Sequence, residues 1–356
     1  MRRALESAVL RALLRPPCVV SFSGGRDSSA VLAIANSVAV REGLPRPVPV
    51  TLRFPKDPAS HEGEWQEALI RHLRLEEWQR VDLETEVDVV GPYADSVLHR
   101  HGLLYPLNTH FHVPVLHHAR GGSLLTGIGG DEVLSPPRFR RLNAVLRGQE
   151  HPRPRDLLSL AAAYGPRWLA ATGVARREPY HLDWLTPVAN RELGRWRARS
   201  IAAQDVRWDR WISHAWWTDR ARVMGERSIE AVADDVGATA IHPFSDPTFL
   251  VTAARERGAL GFKSRREALD VLAGDLLPAG QSGRISKASF NHSFFGPRSR
   301  ALAAAWDGTG LDETIVDPRA LRLAWEQPRV DARSQWLLQV LRLRQLGTVD
   351  EGPEDV

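Results

Sequence analysis

Small and hydroxyl-bearing residues crowd the segment 21–29, which reads SFSGGRDSS. Gly24 and Gly25 have no Cβ, so their backbone N–H groups can approach an anion closely. A helix that begins near Asp27 would turn its positive end toward the same point. Hydroxyl donors in this segment are supplied by Ser23, Ser28 and Ser29. Together these residues predict a phosphate-binding loop.

This loop differs from the usual nucleotide-hydrolase loop, G-x-x-x-x-G-K-[ST], in which the lysine serves the β- and γ-phosphates. No lysine follows Gly25, and the loop is shorter. An aspartate inside a phosphate loop would repel its ligand unless a Mg²⁺ ion lay between them. Asp27 therefore predicts Mg-bound pyrophosphate. The simpler alternative is a glycine-rich connection that Asp27 caps.

A second glycine turn leads into two acids in the segment 124–134, LLTGIGGDEVL. The pattern is that of a strand, a tight turn and the first turn of a helix. The helix dipole favours carboxylates in that first turn, so Asp131 and Glu132 could serve only that purpose. Beside the first loop, however, they favour a functional role.

Strands alternate with helical segments over the first 140 residues. Apolar runs with β-branched residues predict strands at 18–22, 48–54, 79–83 and 123–127, and a weaker signal occurs at 238–244. This alternation predicts an α/β fold with a parallel, doubly wound sheet covered on both faces. Ligands bind such sheets at the carboxyl ends of the strands, where both loops would lie.

The composition excludes several classes of protein. The chain has 356 residues, of which 43% are hydrophobic and 25% charged, so it can bury a sizeable core. Its single cysteine, Cys18, excludes a disulfide framework and suits a reducing cytoplasm. No run of about 18 apolar residues occurs, and residues 1–17 read as an amphipathic helix rather than a signal peptide. The net charge of +4 comes from scattered arginines, which do not call for a nucleic-acid partner.

Four segments carry a resemblance to a known superfamily. The first loop resembles the PP-loop, S-G-G-x-D-S, of ATP pyrophosphatases, which split ATP between the α- and β-phosphates. The second loop resembles the S-G-x-G-x-D-E segment of asparagine synthetases and β-lactam synthetases. Farther along, residues 237–250 resemble their E-x-R-x-P-F-L-D segment, and residues 263–290 resemble their K-x-x-x-R and R-x-K-x-x-F run. The chain is therefore identified as a member of the asparagine synthase superfamily.

This resemblance implies ATP and Mg²⁺ as cofactors and implies roles for individual residues. Asp27 and Asp131 would hold Mg²⁺ between the ATP phosphates. Lys287 would meet the charge that develops on the α-phosphate and on the tetrahedral intermediate, and Lys263 would be a second cationic contact. The remaining contacts to ATP would be Ser21, Ser23, Gly24, Gly25, Ser28, Ser29, Leu52, Gly127 and Gly129.

The same resemblance divides the chain into three regions. Residues 1–150 would form the PP-loop ATP-binding α/β region, and residues 151–345 a mostly helical synthetase region that completes the active site. Residues 346–356, which are acidic, would be a disordered tail. No glutaminase domain precedes the PP-loop in this sequence, so we expect the chain not to hydrolyse glutamine.

Departures from the asparagine synthetases narrow the expected reaction. Ile128 stands where they carry a glutamate between the glycines, and Thr239 and Ile241 replace the glutamate and arginine of E-x-R-x-P-F. The β-lactam synthetases and lasso-peptide cyclases also lack the loop glutamate, and they form an internal amide. We therefore expect an amide-forming ligase or cyclase that adenylates a substrate carboxylate, as the lasso-peptide cyclases do.

An amine on the substrate or on a partner would then attack the acyl-adenylate, with Glu226 or Asp219 as general base. The substrate would be a peptide or a small-molecule carboxylate. A precursor peptide with a recognition protein is the expected partner, in the cytoplasm and away from membranes. Two other classes stay open, a tRNA-modifying PP-loop enzyme and a catalytically weak scaffold subunit. Thiolating tRNA enzymes usually need paired cysteines, and this chain has one.

Overall fold

A computed structural model describes residues 1–55, 63–134, 140–154, 156, 164–177, 179–283 and 294–350. The strands in this part of the chain are β1 (Cys18–Ser21), β2 (Val48–Arg53), β3 (Gln79–Asp82), β4 (Ser123–Leu125) and β5 (Thr239–Ile241). They form one five-stranded sheet in the order β3-β2-β1-β4-β5, and every pair of neighbours is parallel.

Strand β1 lies in the middle of this sheet, and the later strands are added on both sides of it. Val20 of β1 lies opposite Pro49 of β2 on one side and opposite Leu125 of β4 on the other. Because β2 and β3 add outward on the first side and β4 and β5 on the second, the winding reverses between β1 and β4. Open α/β sheets bind their ligands in the crevice at such a reversal, outside the carboxyl ends of the strands.

Helices connect and cover the strands. In chain order they are α1 (Arg2–Leu13), α2 (Arg26–Glu42), α3 (Gly63–Leu73), α4 (Pro92–His101), α5 (His112–Leu116), α6 (Gly130–Leu134), α7 (Arg140–Leu146), α8 (Arg167–Arg177), α9 (Pro187–Ala202), α10 (Trp208–Thr218), α11 (Arg220–Asp234), α12 (Pro247–Arg257), α13 (Arg265–Ala273), α14 (Pro297–Ala305), α15 (Pro318–Glu326) and α16 (Ala332–Asp350). None of these helices is long and apolar enough to cross a membrane.

Helix α1 shows how the apolar pattern of a segment decides its packing. Leu5, Val9 and Leu13 recur at helical spacing, and all three are buried. The helix packs against α2, α12 and β4, and the Ser123 hydroxyl of β4 donates to the Ala12 carbonyl at 2.8 Å. The prediction of an amphipathic helix at the start of the chain is confirmed.

The predicted α/β class and the parallel sheet are confirmed, and the four strands predicted in the first 140 residues begin where expected and end one or two residues early. The weak strand signal at 238–244 corresponds to β5, which adds a strand from the predominantly helical region to the same sheet. Helix α16 continues through Asp350, and residues 351–356 of the predicted tail lie outside the described residues. The boundary near residue 150 stays a prediction.

Candidate active site

The phosphate loop, residues 22–29, joins β1 to α2 at the switch point of the sheet. Gly24 has φ +84°, a conformation that a residue with a side chain rarely adopts. The chain then turns through Gly25, and its N–H donates to the Ser23 hydroxyl at 3.2 Å. The hydroxyls of Ser23 and Ser28 lie 3.2 Å apart, so small polar groups cluster beside the helix start as the sequence predicts.

Two glutamines brace this loop from outside. The amide of Gln66 in α3 donates to the Ser23 carbonyl at 2.8 Å, and the amide of Gln281 donates to the Ser29 hydroxyl at 3.0 Å. Ser29 is fully buried, and its hydroxyl in turn donates to the Gly24 carbonyl at 3.3 Å. The Ser29 hydroxyl therefore helps to hold the shape of the loop. The sequence predicts that Ser29 contacts ATP, but Ser29 does not line the cavity that this loop helps to enclose.

The glycine–acid loop, residues 126–131, joins β4 to α6 and packs directly on the phosphate loop. A Cβ on Gly130 would lie 2.6 Å from Cγ of Asp27, and a Cβ on Gly127 would lie 3.0 Å from the backbone nitrogen of Ser28. The first contact leaves no room for a methyl group, and the second would require the backbone of Ser28 to give way by a few tenths of an ångström. The glycines of the second loop are thus needed for its close approach to the first.

The two loops enclose a cavity of about 380 Å³, called the first cavity below. Its lining residues are Ser21, Ser23, Gly25, Arg26, Asp27, Ser28, His112, Thr126, Gly127, Ile128, Gly129, Asp131, Glu132 and Arg265. Most of the residues predicted to contact ATP are therefore brought together at one place, although they come from two loops about 100 residues apart in the sequence.

Arg265, the first residue of α13, joins the two predicted metal ligands. One terminal nitrogen of its guanidinium, Nη2, bonds Oδ2 of Asp27, and the other, Nη1, bonds Oδ1 of Asp131. The Arg265 and Asp27 side chains are 14% and 15% exposed, whereas that of Asp131 is 54% exposed. The two carboxylates therefore converge on a space that one cation can fill. The side of this space at Asp27 is largely shielded from water.

The donor set fits a magnesium ion. Burial raises the pKa of Asp27, and the charge of Arg265 opposes that rise. Oδ1 of Asp27 is buried without a hydrogen-bond partner, which leaves an oxygen for a metal. Nowhere in the described ranges do three or more His, Cys, Asp or Glu side chains form a metal-binding group. Mg²⁺ is commonly held by one or two carboxylates together with substrate phosphates, and this pair suits that arrangement.

A second cavity, of about 470 Å³, adjoins the first. The two share His112, Ile128 and Glu132 as lining residues, and the second extends to the start of α11 at Asp219 and Arg222. Ile128, which departs from the asparagine synthetase pattern, thus stands at the wall between the cavities.

Histidines lie at this wall and behind it: His112 is half-buried, whereas His110 and His242 are buried. Burial lowers the pKa of His112 to about 4, with nearby His242 and His110 adding to the effect. Burial likewise lowers the pKa of His242 to about 4, and its Nδ1 lies 2.6 Å from the hydroxyl of Thr126. These imidazoles are neutral at pH 7, and Nδ1 of His112 is buried without a hydrogen-bond partner.

The structure does not bring every predicted residue to the first cavity. Leu52 is half-buried in β2 among apolar side chains. Lys263 is exposed just before α13, and its backbone N–H donates to Glu267 at 2.5 Å. Glu226 pairs with Arg222 at 2.7 Å and accepts from Ser245, and it lines neither cavity. Asp219 lines the second cavity and caps α11. Lys287 lies outside the described residues.

Sequence reasoning missed Arg265, although it stands two residues after Lys263 in the segment singled out for its cations. The only local signal is Ser264, whose hydroxyl caps α13 by accepting from the backbone N–H of Glu267 at 3.1 Å. A helix that starts after Ser264 puts Arg265 in its first turn and leaves Lys263 outside it.

A glycine–serine loop at the switch point of a parallel sheet, followed by converging carboxylates, defines a nucleotide-binding protein of the PP-loop ATP pyrophosphatase type. In a comparison with protein families, residues 1–346 match the family described as asparagine synthase, and the chain belongs to that family. It therefore has an ATP-dependent amidation or ligase function. A comparison with curated proteins finds no match.

Proposed function

We propose that the chain uses Mg²⁺ and ATP to adenylate a carboxylate of a peptide and that an amine of the same peptide then attacks the acyl-adenylate. The carboxylate oxygen bonds the α-phosphorus, and the bond to the β-phosphate oxygen breaks, so that pyrophosphate leaves. The amine nitrogen next bonds the acyl carbon, AMP leaves, and the amine loses a proton. The product is a cyclic amide.

The observation that carries this proposal is the pair of adjoining cavities with one shared wall. The first cavity has the donors for a triphosphate, and the second has room for a substrate beside it. Adenylation requires the carboxylate to meet the α-phosphate, and amide formation requires an amine to meet the same carbon. Holding both at one wall supplies the entropic advantage of an intramolecular reaction.

The departing pyrophosphate would be received by the phosphate loop. Ser23 and Ser28 supply hydroxyls there, and the backbone N–H of Gly25, which donates to the Ser23 hydroxyl in this structure, lies at the start of α2. Asp27 and Asp131 would hold Mg²⁺, which when bound neutralises charge on the β- and γ-phosphates. The positive end of the 17-residue helix α2 favours the same negative charge.

The attacking amine would lie at the shared wall in the second cavity. Neutral His112 has one ring nitrogen that can accept a hydrogen bond from this amine, and Asp219 lies in the same cavity. Glu226 is less suited as general base because its carboxylate is held by Arg222 and Ser245. Ile128 gives the wall an apolar surface in place of the glutamate that asparagine synthetases carry, which favours an amine delivered by the substrate itself.

Product analysis with defined peptides tests the proposal. The chain is incubated with ATP, Mg²⁺ and a set of peptides that carry an Asp or Glu side chain and a free N-terminus. We expect AMP, pyrophosphate and a peptide that has lost one water. The matched control is the same peptide with an acetylated N-terminus, which should still form a hydroxamate with hydroxylamine but should not cyclise.

Three outcomes separate the parts of the proposal. ADP and phosphate as products would contradict adenylation. Hydroxamate without cyclisation of any peptide, but with coupling to an added amine, would leave a ligase that is not a cyclase. A precursor peptide that reacts only when a separate recognition protein is added would support the predicted partner.

The burial of Cys18 and the pKa of its thiol argue against a tRNA-thiolating enzyme. This residue lies in β1, 4% exposed, and burial raises the pKa of its thiol to about 11. The thiolate is the reactive form of cysteine, so Cys18 is inert at neutral pH. Since it is the single cysteine of the chain, no second thiol could assist it.

A further inference from the structure

The guanidinium of Arg265 lies where the magnesium ion of the proposed function would bind. It bridges Oδ2 of Asp27 and Oδ1 of Asp131. A metal ion held by both carboxylates, whether through Oδ1 or Oδ2 of Asp27, would lie close to this guanidinium, and two cations at that distance repel each other. Arg265 and Mg²⁺ therefore compete for this position.

The two carboxylates need a cation even when no nucleotide is present. The charge of Asp131 is one of the influences that raise the pKa of Asp27, so the two carboxylates repel each other. Asp27 is mostly buried, where a carboxylate without a counter-charge is costly. The loops that carry the carboxylates pack tightly through Gly130, which limits how far the two can separate.

Arg265 is also well placed for a phosphate. It opens α13 at the rim of the first cavity, and Ser264 fixes the helix start just before it. A guanidinium is planar, is always charged and matches phosphate oxygens with two parallel N–H groups. Released from the carboxylates, it would lie beside the phosphates that enter with the metal.

We propose, building on the function proposed above, that Arg265 is an internal counter-ion. It occupies the metal position between Asp27 and Asp131 before the nucleotide arrives, and it passes to the phosphate oxygens when Mg²⁺ enters with ATP. The residue is thus a positioning group with two alternating partners, and the carboxylates stay converged in both states.

This proposal predicts that removal of the guanidinium changes the affinity for the metal alone and the affinity for the metal with nucleotide in opposite directions. In Arg265→Gln the carboxylates lose the competing cation, so Mn²⁺ alone, measured by electron paramagnetic resonance, should bind about tenfold more tightly. The same variant loses a phosphate contact, so the uncleavable analogue α,β-methylene-ATP with Mg²⁺, measured by calorimetry, should bind about tenfold more weakly. Arg265→Lys keeps the charge without the fork and should fall between Arg265→Gln and the wild type in both assays.

The neighbouring arginine offers a matched control. Arg266 is in the same helix turn, its side chain is 71% exposed, and its nearest acidic partner is Asp270 at 3.7 Å. Arg266→Gln makes the same chemical change without touching the carboxylates, and it should leave both affinities unchanged. Thermal melting of all variants reports whether each is folded, and Arg265→Lys supplies the comparison if Arg265→Gln does not fold.

The outcomes distinguish this inference from the function on which it rests. A wild-type chain that binds neither the nucleotide analogue nor the metal would refute the proposed function. A wild-type chain that binds both, beside a folded Arg265→Gln variant with unchanged or weaker Mn²⁺ binding, would refute the counter-ion role. Loss of both affinities would indicate that Arg265 only supports the local structure, which also overturns the inference.

Discussion

Replacement of Gly130 by alanine should separate the two loops of the site. The new Cβ would lie 2.6 Å from Cγ, 2.8 Å from Oδ2 and 3.0 Å from Cβ of Asp27. Carbon atoms prefer separations of about 3.5 Å or more, so the two groups must move apart by roughly 0.9 Å. Asp27 has little freedom to move, because Gln281 and the buried Ser29 hold the loop behind it.

A displacement of this size should be costly for the reaction and moderately costly for the fold. A misplacement of about 1 Å at an active site can lower a rate by about 100-fold. Overpacking in a well-packed region costs about 1–3 kcal/mol of unfolding free energy. We therefore expect Gly130→Ala to remain folded, with a lowered melting temperature, and to form AMP about 100 times more slowly in the hydroxylamine assay.

Gly173 supplies the control for this substitution. It also lies in a helix, α8, and an added Cβ there meets no atom within 4 Å. Gly173→Ala should leave the rate unchanged and raise stability by about 0.5–1 kcal/mol, since alanine costs less backbone entropy in a helix. A Gly130→Ala enzyme with a near-normal rate would show that the close approach of the loops does not position Asp27.

Three further predictions concern the metal ligands, acid stability and the lysines. Asp27→Ala and Asp131→Ala should each abolish AMP formation while the protein stays folded, and a near-normal rate in either would remove that residue as a metal ligand. Burial lowers the pKa of His112 to about 4 from an unfolded value of about 6.5, so its contribution to stability is present above pH 6.5 and is lost as the pH falls toward 4. At pH 5 the loss of this contribution has lowered the free energy of unfolding by about 2 kcal/mol. Urea unfolding should therefore show that His112→Gln loses about 2 kcal/mol less stability than the wild type when the pH is lowered to 5. An equal loss in both proteins would contradict the assignment. Lys287→Ala should lower turnover by about 10²–10³ with little change in ATP affinity, and normal turnover would leave Lys263 as the candidate.

Local patterns were sufficient to predict the sheet and the first loop. A strand such as 18–21 is recognised as a short apolar run. A turn such as Gly24–Gly25 is recognised by glycines, which tolerate a positive φ. The strand β5 was harder to recognise, because Thr239–Ile241 has three residues and all are only half-buried. Its membership of the sheet depends on pairing with β4, a contact between segments more than 100 residues apart.

The same limit explains why the sequence does not identify Arg265 as a residue of the site. Its partners lie 238 and 134 residues away along the chain, and no periodic pattern connects them. The resemblance to the superfamily implies Lys263 as the cationic contact, and Lys263 precedes Arg265 by two positions. The register of one helix start decides between them, and boundaries of this kind are the least certain part of a prediction from sequence.

The acids that make the phosphate loop unusual also explain how it would select its ligand. Among the residues that the structure describes, Arg26 and Arg265 supply the positive side chains of the first cavity, against the carboxylates of Asp27, Asp131 and Glu132. Helices α2 and α13 begin at this cavity, and each helix start contributes about half a positive charge. The opposing charges of these described groups nearly cancel, so together they attract a bare triphosphate only weakly. A triphosphate that arrives with a divalent cation changes this balance, because the cation binds the carboxylates and frees a guanidinium for the phosphates. Acids in a phosphate loop thus make nucleotide binding depend on the metal.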